Sequence, residues 1–131
     1  MSPFWNRHKG DDDAPVDPNE RSPQLGLRYK DLAVLGSLAD NGADLTQPRH
    51  VVYYSYYPNA DRATQAAADA REAGFIADAR DPLPQFPGHW AMVAELHGAV
   101  VSPDFVRSSD DLFQGLADRH HGEYDGWEAS V

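Results

Sequence analysis

The chain has 131 residues, with 21 acids against 11 lysines and arginines and no cysteine. That length holds one domain with a modest core, and the missing thiol excludes disulfides, thiolate metal centres and cysteine nucleophiles. A formal net charge of −10 opposes contact with a phosphate backbone and favours a basic protein partner.

No apolar run approaches a membrane span or the core of a signal peptide, and the lack of cysteine fits a reducing cytoplasm. Residues 1–24 read as a disordered leader. The run Asp11-Asp12-Asp13 and prolines 3, 15, 18 and 23 leave little to bury, with Phe4 and Trp5 as an isolated apolar pair. The folded domain is expected over 25–131. The charge excess falls there, because the first thirty residues hold five acids and five bases. Residues 31–100 hold nine acids against four bases, and residues 101–131 hold seven against two.

Leu32, Leu35, Leu38 and Ala39 recur at helical spacing between Arg28 and Asn41, and Asn41-Gly42 stops the run. His50 to Tyr57 is a strand rich in β-branched and aromatic residues. Its faces are Val51, Tyr53, Ser55, Tyr57 and Val52, Tyr54, Tyr56. Neither is strongly polar, which predicts a central strand covered at least partly on both sides. Asn59 or Asp61 caps a helix whose stripe is Ala63, Ala66, Ala67 and Ala70, suited to close approach on a sheet, and Gly74 ends it. A strand opens at Phe75-Ile76-Ala77 and gives way to a loop with prolines 82, 84 and 87.

From His89 to about Val101, Trp90, Met92, Ala94 and Leu96 alternate with Glu95 and His97, as in a strand with one face inward. Ser102-Pro103 opens the last helix, whose N-terminal half is favoured by Asp104, Asp110 and Asp111. Its stripe is Phe105, Leu112, Phe113, Leu116 and Ala117, with a break near Ser108-Ser109. Gly122 reads as the left-handed stop. Gly126, between Tyr124 and Trp127, reads as a strand glycine admitting a close neighbour. The order, a helix and then βαββαβ, is that of an α+β ferredoxin-like sandwich. It predicts a four-stranded antiparallel sheet with two helices on one face.

Glu123-Tyr124-Asp125-Gly126-Trp127 resembles the closing motif of the RraB family, the regulators of ribonuclease E activity. Upstream, Pro48-Arg49-His50-Val51-Val52-Tyr53-Tyr54 before Tyr57-Pro58, the alanine-rich helix ending at Gly74-Phe75, and the strand around Trp90 follow the family's order over residues 28 to 129. The resemblance implies a similar fold and a non-enzymatic, cytoplasmic regulator that binds ribonuclease E through a non-catalytic part of the nuclease. The charge makes the acids Asp110, Asp111, Glu123, Asp125 and Glu128 the expected partner contacts, together with the aromatic Tyr124 and Trp127 that stand among them. The alternatives are a small-ligand or metal-binding protein or enzyme using the open sheet face, and an interaction module with an unrelated protein.

Catalytic patterns are weak. His120 and His121 are neighbours that diverge by about 100° on a helix, and their pairing with Glu123 and Asp125 has no HExxH spacing. His50, His89 and His97 fall on neighbouring strands but are expected as ordinary strand-edge histidines. Neither a Gly-x-Ser-x-Gly elbow nor a phosphate loop occurs. The tyrosine-rich strand lacks the Lys and Arg of an RNA-recognition module. No cofactor, metal, membrane or direct nucleic-acid contact is therefore expected.

Overall fold

The computed structural model describes residues 17–131, so Phe4, Trp5 and the acidic run lie outside the described residues. The elements are α1 (Tyr29–Asp40), β1 (Arg49–Tyr57), α2 (Ala60–Glu72), β2 (Ile76–Arg80), β3 (Trp90–Ala99), α3 (Pro103–Arg119) and β4 (Glu123–Ala129). The four strands form one antiparallel sheet in the order β2-β3-β1-β4. This is the ferredoxin-like arrangement expected from the βαββαβ order, with α1 ahead of it.

The helices α2 and α3 start where the sequence caps them, whereas α1 starts after Arg28 with no side-chain cap. Asn59 Oδ1 accepts from Arg62 N at 2.9 Å at the start of α2, and Ser102 Oγ accepts from Phe105 N at 3.2 Å at the start of α3. The α2 stripe Ala63, Ala66, Ala67 and Ala70 is fully buried against the sheet. Beneath it and α3 lie Val51, Tyr53, Tyr57, Ala77, Met92 and Ala94, met by Phe113 of α3. The Tyr53 and Phe113 rings stack at 4.4 Å, and Phe75 meets Phe113 edge-on at 5.0 Å, geometries that aromatic quadrupoles favour.

Several expectations need correction. The strand β1 is central, but only its Val51-Tyr53-Ser55-Tyr57 face is buried. The opposite face of His50, Val52, Tyr54 and Tyr56 stays half-exposed, and no helix among the described residues crosses it. The helix α3 is continuous through Ser108-Ser109. Ser109 is buried and its hydroxyl donates back to Phe105 O at 3.0 Å, so it needs no break to satisfy itself. Its buried stripe includes Val106, while Phe105 and Leu112 are only partly covered.

The two C-terminal glycines exchange their expected roles. At the end of α3 the left-handed residue is His121, at φ 60°, and Gly122 N–H reaches Ala117 O at 2.7 Å, closing a Schellman turn. Gly122 is required for space, since a Cβ there would fall on the Tyr56 carbonyl oxygen and the Tyr57 ring. Gly126 has open space around it but a φ of 129°. It sits in a bulge where Tyr54 pairs with Gly126 and Ser55 with Tyr124. The extra residue, Asp125, shifts the alternation, so Tyr124 and Trp127 both face inward although three positions apart.

The packed chain begins before residue 25. Arg21 and Arg28 form an isolated bridge, Ser22 N donates to Leu27 O at 2.8 Å, and Ser22 is buried. Pro18 O and Glu20 O likewise accept from Lys30 N and Tyr29 N, each at 3.0 Å.

Candidate functional site

The uncovered sheet face holds a groove of about 660 Å³. Its floor is Tyr54 and Tyr56 of β1 with Ala91 and Val93 of β3. One wall is Arg80, Asp81, Leu83, Phe86 and His89, and the other is Glu123 and Asp125 of β4. The proline-rich loop cannot continue a strand, and it holds Leu83 and Phe86 out at 63% and 54% exposure. The His89 ring stacks on Phe86 at 5.6 Å and leans on Tyr56 at 5.8 Å. Exposed apolar patches rimmed by polar residues mark interaction surfaces or ligand grooves.

Behind the sheet, β4 is tied down by a buried polar cluster. Trp127 Nε1–H donates to Asp31 Oδ1 of α1 at 2.9 Å, fully inside. Burial pushes the Asp31 carboxyl up, the indole bond pulls it back, and the Asp110 charge adds to the rise. Asp110 of α3 receives Arg28 Nε at 2.6 Å and Arg21 Nη2 at 3.3 Å, and that bond holds the Arg28 guanidinium above its ordinary value. Desolvation drives the Tyr124 phenol far upward and the Tyr53 phenol up to about 12. Lys30 Nζ sits 5.0 Å from the centre of the Tyr124 ring, a cation–π contact.

The seven expected contact residues therefore divide. Asp110, at 2% exposure, Tyr124 and Trp127 are interior. Asp111 is on the surface, ion-paired with Arg21 at 2.8 Å. Glu123 and Asp125 stand exposed on the groove wall, and Glu128 is exposed and accepts the Tyr54 hydroxyl at 2.8 Å. That bond raises the Tyr54 phenol.

The histidine–carboxylate group near the end of α3 is not assembled. His120 is buried and bonded through Nε2 to Asp69 of α2 at 2.8 Å, a bond that holds the Asp69 carboxyl below its ordinary value. Glu123 and Asp125 line the other side of the sheet. The three histidines expected on strands separate too, and His89 lies in the loop just before β3. His89 belongs to the groove, while His50 and His97 meet Glu95 at the far end of the same face.

Sequence reasoning missed the groove itself. Its signals were Tyr54 and Tyr56 on one face of β1 and two large apolar residues, Leu83 and Phe86, within a proline loop.

No helix among the described residues is long and apolar enough to cross a membrane. No curated protein matches the chain. Residues 29–129 match the family described as regulator of ribonuclease activity B, which spans every strand and helix above. The chain belongs to the RraB family.

Proposed function

We propose that this chain is a non-catalytic, cytoplasmic protein that binds ribonuclease E and lowers RNA cleavage through protein–protein contact. The observation that carries the reading is membership of a family of ribonuclease-activity regulators. The open-face groove offers the contact surface. Its floor is aromatic, and Asp81, Glu123 and Asp125 edge it. Such a surface fits a nuclease segment carrying basic and aromatic side chains. RNA is a poor direct ligand for it, because residues 17–131 carry eighteen acids against nine lysines and arginines.

The test is binding of the tag-free chain to purified ribonuclease E, with cleavage of a defined RNA followed in parallel. Binding with reduced cleavage is the expected result. Leu83→Ala and Phe86→Ala remove exposed side chains at little cost to folding, and each should weaken binding by about 1–2 kcal/mol if the groove is the contact. Tight RNA binding by the isolated chain would overturn the partner class. Unchanged nuclease affinity in both variants would move the contact away from the groove.

A further inference from the structure

We propose that His50, Glu95 and His97 form a binding site for a borderline divalent metal ion of the zinc type, at the end of the open face away from the groove. Glu95 and His97 are two residues apart on β3 and so project from one face. His50 reaches them from β1 through a register shift between Arg49 and Val51, where β3 answers with Gly98 at φ 76°. Across that shift His50 faces two residues rather than one, which brings it level with His97.

The donor atoms already converge. His50 Nε2 lies 2.6 Å and His97 Nε2 3.6 Å from the same Glu95 oxygen, and the three candidate ligand atoms lie within 4.8 Å of one another. The two imidazoles stack at 4.3 Å with planes 8° apart, so at least one ring must turn for both in-plane lone pairs to meet a shared ion. A tetrahedral ion with bonds of about 2.1 Å separates neighbouring donors by roughly 3.4 Å. The 3.6 Å spacing is close to that, and the 2.6 Å one opens by side-chain rotation alone.

Two imidazoles and one carboxylate suit zinc, nickel or copper rather than magnesium or calcium, which take oxygen donors. The side chains are 38%, 28% and 65% exposed for His50, Glu95 and His97. An ion held there therefore keeps at least one position open to water or to a donor from a bound protein. This reading is independent of the groove and departs from the absence of metal expected from sequence spacing.

The probe is Zn²⁺ alone, titrated calorimetrically into the tag-free 131-residue chain, with Co²⁺ followed by its visible absorption. One saturable equivalent is expected. His97→Ala and Glu95→Gln should each weaken it at least about tenfold, the scale on which even supporting partners of metal ligands act. The double variant His50→Ala/His97→Ala should abolish it with the circular dichroism unchanged. His8 and the acidic run Asp11–Asp13 are the competing donors, so His8→Ala should leave the equivalent intact. Absence of a saturable step overturns the proposal. So does a step that survives the double variant, or one that disappears with His8→Ala.

Discussion

At the scale of single residues, the turn out of α3 shows how little a residue name says about its task. Gly122 is there for space and His121 carries the left-handed strain. Gly122→Ala should therefore destabilise by about 2–3 kcal/mol, as overpacking against a backbone oxygen and a buried ring does. His121→Gly should stabilise, by up to about 1 kcal/mol, because it relieves a left-handed L-residue. Urea unfolding of both variants checks the opposite signs.

Asp31 supplies a second prediction at this scale. An acid whose folded pKa is raised above its unfolded value near 3.8 contributes fully below that value. The contribution is lost as pH rises through the folded pKa. Asp31→Asn stays neutral and still offers an oxygen to Trp127, so it should match the parent in acid and gain on it as pH rises. Asp31→Ala leaves the buried indole N–H without an acceptor and should cost about 1–3 kcal/mol in acid, a cost that shrinks as the parent loses stability with rising pH. Unfolding midpoints across a pH series follow both variants, and an Asp31→Asn variant that fails to gain on the parent with rising pH would contradict the assignment.

At the scale of elements, β4 is the strand that gathers the fold. It pairs with β1, drops Trp127 onto Asp31 of α1 and sets Tyr124 against Phe113 of α3 at 6.0 Å between ring centres. Trp127→Ala should cost about 3–5 kcal/mol, from lost ring burial. Trp127→Phe should recover most of the packing but not the bond to Asp31. Comparing their unfolding free energies apportions the two parts.

The elements were largely legible in the sequence, because capping residues, the alanine stripe and strand alternation are local signals. Ties between distant residues were not legible. Trp127 and Asp31 are 96 positions apart and Arg28 and Asp110 are 82 apart. No spacing rule pairs them, so Asp110 read as a surface acid. The bulge left one trace, two inward aromatics at an odd interval around a glycine. The cluster of His50, Glu95 and His97 depends on a second register shift that alternation along one strand cannot reveal.

At the scale of the whole molecule, charge and groove make separable demands on binding. A net charge of −10 should steer a basic nuclease segment from a distance. Association should then slow as salt rises, because the screening length falls from about 10 Å at 0.1 M to about 3 Å at 1 M. Steering depends on total charge, whereas docking depends on where each charge sits. Glu123→Lys with Asp125→Lys reverses two exposed acids on the groove wall. Asp61→Lys with Glu72→Lys reverses two exposed acids of α2, the helix packed on the opposite face of the sheet. Both double variants change the net charge equally, so both should slow association to a similar degree at low salt. Only the groove pair should also speed dissociation, since those side chains alone would face the bound segment. Binding kinetics against ribonuclease E over a salt series read both rates. Equal dissociation rates in the two variants would remove the groove wall from the contact. Salt-independent association in the parent would remove the electrostatic steering.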